Sequence, residues 1–93
     1  MQDKKNMRNE NIKNAAALLY NREINNAPIV ISKGNNYLAR RMVDIARKHK
    51  VPIVSDEDTA NHLMQLEIGE EIPYSLYEAV SIILKYIYKL KAE

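Results

Sequence analysis

The sequence predicts a single α/β domain, and three observations carry that reading. Two proline-led, β-branched runs, PIVIS at 28–32 and VPIVS at 51–55, have the composition of buried strands. Between them lies a basic stretch of helical period, too long for a hairpin, so the runs are expected as parallel strands joined by a crossover helix. Near the C-terminus, Leu76, Val80, Ile83, Ile87 and Leu90 repeat at the spacing of an amphipathic helix. A chain of 93 residues forms one domain, burying roughly 60 to 70% of the surface its unfolded form exposes.

Residues 1–14 hold few apolar side chains and many Asn, Lys and Arg, so burial cannot offset their ordering entropy and a mobile polar tail is expected, with the domain spanning 15–93. AAALLY at 15–20 is too short to type by periodicity, although its Ala and Leu favour a helix. NREINNAP at 21–28 gathers turn formers and ends in Pro28, which pushes Ala27 to extended backbone. Residues 29–32 form a strand, and Lys33, Gly34, Asn35 and Asn36 a turn into a helix capped by Asn36 and running to about His49. Its expected inner face is Leu38, Met42 and Ile45 with Ala39, Val43 and Ala46. Cations gather in its last turn, where the helix dipole favours them.

Residues 51–54 are the second strand of the crossover unit. Ser55 or Asp56 then caps a shorter helix to about Leu66, with acids in its first turn and Ala60, Leu63 and Met64 inside. Ile68 and Gly69 mark its exit, and Pro73 suits the first turn of the last helix, whose stripe Ala79 and Leu84 widen.

Composition narrows the function. There is no cysteine, which excludes disulfides and thiolate chemistry and fits a reducing, cytoplasmic compartment. The 14 basic and 12 acidic residues leave a net charge of +2, too small to imply nucleic-acid binding by itself. The apolar run at 79–84 is far shorter than the ~20 residues of a membrane span, and the first residues lack the apolar core of a secretory signal.

In order, ALLY, then AP-IVISKG, then YLARRMVDIARKHKVPIV, then EIGEEIP-YSLYEAVSIILKYIYKLK make a pattern that covers residue 15 to about 91. It resembles the cytoplasmic domain of the type III export switch proteins, the flagellar FlhB and injectisome YscU family. Its most specific parts are Lys33-Gly34, the VPIV run and EIG-x-x-IP from Glu67 to Pro73. The resemblance implies a small mixed β-sheet of about four strands flanked by helices, and it makes AAALLY the first strand rather than a helix. In the family this strand follows an Asn-Pro-Thr-His motif at which the chain cleaves itself. The matching positions here are Glu10, Asn11, Ile12 and Lys13, and a shift of one residue still leaves Ile12 in place of the proline, so no self-cleavage is expected. Full-length members carry a transmembrane half upstream, whereas only a short polar tail precedes this domain, so the chain resembles the stand-alone soluble homologues.

The resemblance also implies partners: flagellar or type III export substrates, or proteins of the export apparatus. It points to the rigid apolar corner Ala27-Pro28 and the facing surface of the last helix at Leu84, with Ser81 at a usually apolar position. The tyrosines Tyr74, Tyr77, Tyr86 and Tyr88 suit either an interface rim or a core lacking Phe. Arg40, Arg41, Arg47 and Lys48 give the helix at 37–50 a basic surface, which as an alternative function suits a small RNA-binding α/β domain; a solvated helix face is the favoured explanation of it. The turn at Gly34 lacks the Lys-Ser/Thr of a phosphate-binding loop and is expected to be structural. His49 and His62 lack a second ligand at metal-binding spacing, no Ser-His-Asp set is legible, and Asp56, Glu57 and Asp58 suit a helix start. No catalytic residue, metal, cofactor or small-molecule substrate is therefore expected.

Overall fold

The computed structural model describes residues 11–92, with side chains as far as Lys89. Strands β1 (Asn14–Leu19) and β2 (Ile29–Asn35) form an antiparallel pair, followed by helices α1 (Tyr37–Lys48) and α2 (Glu57–Leu63), a 3-10 turn (Tyr74–Leu76) and helix α3 (Tyr77–Ala92). AAALLY is thus largely strand, against its helix propensity, because β2 supplies the partner that propensity ignores. The link between the strands opens on Asn21, whose side chain and carbonyl accept from the N–H groups of Glu23, Ile24 and Asn25.

The register explains how the sheet serves two layers. Ala15, Ala16 and Ala17 pair with Gly34, Lys33 and Ser32, but Leu18 pairs with Val30, so Ile31 is an extra residue at a β-bulge. Paired residues share a face, so Val30 and Lys33, three apart, lie with Leu18 and Ala16 on one side. That side carries the core: Ala27, Val30, Leu63, Leu66, Ile72, Leu76 and Val80, with Ala16, Leu18 and Leu84 packed against it. Where α1 sits close, the other face presents Ala15, Ala17, Ser32 and Gly34, all small, with Leu19 and Ile29 further along it. A Cβ on Gly34 would stand 2.8 Å from Leu38 Cβ and 3.3 Å from its backbone carbon, so this approach requires glycine.

Three expectations are corrected. The parallel crossover does not form: residues 51–54 belong to no strand, and four strands reduce to a two-stranded sheet. Lys50 turns the chain through left-handed backbone (φ 58°), Pro52 lacks an N–H, and among the described residues the N–H groups of Ile53, Val54 and Ser55 have no hydrogen-bond partner. The free edge of β2 is instead met by residues 69–72, where Val30 N–H donates to Glu70, Gly69 N–H to Val30 and Ile72 N–H to Pro28, with one bridge from Ile29 to Glu71. EIGEEIP lacks strand alternation, and glycine at 69 permits the φ of 93° that turns the chain there.

Second, Lys33, Gly34 and Asn35 are strand, not turn. Only Asn36 turns, with φ 50° and no side-chain cap, its N–H donating to the Lys13 carbonyl over 2.7 Å. Third, α1 buries Ala39 and Val43, with Met42 and Ala46 half-buried, and leaves Leu38 and Ile45 exposed. Ala39, Val43 and Met42, whose sulfur lies 3.8 Å from Ser32 Oγ, face the sheet, while Leu38 and Ile45 flank that side and stay exposed. Helix α2 ends three residues early and buries Thr59 and Leu63; Asp56, rather than Ser55, caps it. Along α3, Val80 is buried after Leu76, and Ile83, Leu84 and Ile87 are half-buried; of the tail expected at 1–14, Asn14 already belongs to β1, and residues 1–10, like the side chain of Leu90, lie outside the described residues.

Candidate functional site

The corner singled out from the sequence lies at the start of β2, where Ala27 and Pro28 are both buried, Ala27 being only 2% exposed. The Pro28 carbonyl is tied to Ile72 N–H over 2.9 Å, so the corner is fixed against the segment leading into α3. Leu84 is half-buried against the cluster that contains Ala27, whereas Ser81, one turn before it, is exposed. Ala27 lies inside the core against which Leu84 packs, and Ser81 is exposed on α3. A charge placed at Ala27 would be buried, which leaves Ser81 and Leu84 as the positions where binding is separable from folding.

Lys33 has a structural task. Its ammonium donates to the carbonyls of Met64 and Leu66 at 3.0 and 2.6 Å, closing the backbone that α2 leaves open at its C-terminal end. At the other end of α2, the Asp56 carboxylate accepts from Thr59 Oγ1 (2.8 Å) and Thr59 N–H (3.1 Å). The hydroxyl bond first, then the backbone bond, lowers the Asp56 pKa below the usual carboxylate value. This acidic start is a helix cap with no proton-transfer partner.

The remaining candidates are dispersed. Arg41, Arg47 and Lys48 are exposed on α1 and Arg40 half-exposed at its flank. His62 turns its Nδ1 to the Asp58 carbonyl at 2.8 Å, and among the described residues no group of acids and histidines could hold a metal. Tyr74 and Tyr77 stack with ring centroids 5.3 Å apart, and both are exposed, as are Tyr86 and Tyr88, so none of the four replaces phenylalanine in the core. Asn11 and Lys13 are exposed and Ile12 half-buried just before β1; Glu10 lies outside the described residues. No described helix is long and apolar enough to cross a membrane.

One feature is not visible in the sequence. Residues 53–56 run beside α3 and, with Ala79, Ile82, Ile83 and Tyr86, line an open apolar groove. It exists because 51–54 leaves the sheet, which no local pattern signals.

The chain matches the family described as FlhB HrpN YscU SpaS over residues 11–87. It is 38% identical over 74 residues to the flagellar biosynthetic protein FlhB of Aquifex aeolicus, covering 78% of this chain and 21% of that protein. It is 37% identical over 79 residues to the uncharacterized protein YlqH of Bacillus subtilis, covering 85% of both chains. The chain thus spans about a fifth of the length of the FlhB proteins it matches and most of the length of YlqH. Among solved structures, the cytoplasmic domain of FlhB from Shewanella putrefaciens superposes with a TM-score of 0.81 at 30% identity, over 85% of this chain and 62% of that one. The PscU C-terminal domain superposes with a TM-score of 0.76 at 25% identity, over 81% of this chain and 96% of that one.

Proposed function

The chain belongs to the FlhB HrpN YscU SpaS family of flagellar and type III export proteins, and from that premise we propose that it is a non-enzymatic interaction module that binds an export substrate or a component of the export apparatus. The observation that carries this reading is the match across residues 11–87, which takes in the whole sheet and all but the end of α3. The binding surface is the core end at Ala27, Pro28 and Leu84, with Ser81 at its margin. Its backbone is held by the Pro28–Ile72 hydrogen bond, so little ordering is needed on binding.

The test is a binding titration with purified flagellar export substrates and apparatus components. Leu84→Asn is expected to weaken binding about tenfold or more, as for a residue near the centre of an interface, and Ser81→Asp at the margin to weaken it less, while the far-ultraviolet spectrum is retained. Folded variants that bind as tightly as the parent would remove the surface from the proposal.

The chain does not cleave itself. What supports this is the run Glu10-Asn11-Ile12-Lys13, in which Glu10, Asn11 and Lys13 stand where the family's motif has asparagine, proline and histidine, and a shift by one residue still sets Ile12 in place of the proline. Intact-mass measurement after prolonged incubation is expected to give one species; two fragments divided beside Asn11 would overturn the statement.

A further inference from the structure

We infer that the outward face of α1 docks on the surface of an anionic phospholipid bilayer. Tyr37, Arg41, Ile45 and Lys48 follow one another at helical spacing along the side turned away from the sheet, with Leu38 beside them. Tyr37 is 64% exposed, Leu38 58% and Ile45 46%, and Val51, just past the helix, 53%. These apolar groups are interleaved with the cations Arg41 and Lys48, which are themselves exposed. Gly34 and its small neighbours let α1 approach the sheet through Ala39, Met42 and Val43, which leaves Tyr37, Arg41, Ile45 and Lys48 to solvent.

The charge distribution fixes the sign and the orientation. Residues 37–50 carry Arg40, Arg41, Arg47, Lys48 and Lys50 against the single acid Asp44. Residues 51–84 carry seven acids and no lysine or arginine. Helix α1 lies on one face of the sheet, and the core with the buried side of α2 on the other, so the basic and acidic halves are set apart in space. The α1 side, with five cations against one acid, is complementary to a negatively charged plane, and the exposed Lys85 and Lys89 of α3 are further cations outside that stretch. An RNA backbone would use the cations but leave Leu38 and Ile45 idle, whereas the headgroup region of a bilayer accepts both kinds of group, and tyrosine is favoured there.

Co-flotation of the full chain with phosphatidylcholine vesicles, with and without phosphatidylglycerol, tests the proposal. The chain is expected to float with the anionic vesicles only, and less so as salt is raised. Replacing both Arg41 and Lys48 by Ser should lower partitioning on the order of twentyfold, from roughly fivefold per cation. Leu38→Ser with Ile45→Ser should lower it about tenfold, and all four side chains are exposed, so the fold survives. Glu57→Lys, on the acidic half, should leave it unchanged. No flotation with anionic vesicles, equal flotation with neutral ones, wild-type partitioning in either double variant, or salt-sensitive RNA binding without vesicle binding would overturn it.

Discussion

Lys33 shares a sheet face with Val30, yet its ammonium ends on two main-chain carbonyls, so its apolar stem packs while its charge closes the exit of α2. Lys33→Met keeps the stem and removes both hydrogen bonds; the expected loss is about 2 kcal/mol, read as a lower urea midpoint at unchanged slope. Asp56 acts at the opposite end of the same helix. Because its pKa is lowered on folding, its charge stabilises the native state above the ordinary carboxylate range, and that contribution is lost as pH falls through the lowered value. Asp56→Asn should therefore be less stable than the parent at neutral pH, with the gap closing under acid; urea titrations at the two pH values check it, and a constant gap would contradict it. Lys33-Gly34 was legible as a marked pair, but its placement in a strand was not, because the bulge at Ile31 depends on pairing with β1 rather than on its own sequence.

At the scale of elements, helices were read more securely than strands. The period of α1 and α3 and the acids at the start of α2 are local signals, and each helix stands within a few residues of its expected place. The run at 51–54 has strand composition but finds no strand partner, and the glycine-turned segment at 69–72, without strand composition, takes the edge of β2. Partner geometry decides such cases, and periodicity does not contain it. Hydrogen exchange should expose the difference: the amides of Ile53 and Val54 are expected to exchange with little protection, while that of Val30, bonded to Glu70 at 3.0 Å, exchanges slowly. Equal protection would show that 51–54 is paired after all. The inner side of α1 was legible only in part, since amphipathic spacing gives the period of a helix but not the size of what it packs against. Leu38 and Ile45 fit the period, yet they flank the side on which Ala39, Met42 and Val43 meet the sheet.

For the whole molecule, one core joins β2, α2, the segment at 69–72 and α3, and its two most completely buried large side chains are Val30 and Val80. Val80→Ala is expected to cost roughly 2 kcal/mol and to do so in a single cooperative transition, because Val80 belongs to the same cluster that joins β2, α2 and the segment at 69–72; two separated transitions in urea would contradict it. The corner at Ala27 and Pro28 was legible as a position, through resemblance, while its burial was not, since that depends on the Ile72 contact far along the chain. Net charge is the least informative number of all here. A value of +2 conceals a stretch at 37–50 with five lysines and arginines against one acid and a stretch at 51–84 with seven acids and no lysine or arginine. Stretches of opposite sign give the molecule an uneven field that the net value hides. Near any charged wall it experiences a torque before contact, so it arrives already turned, and the orientational search that ordinarily slows encounters is shortened in dilute salt and restored in concentrated salt.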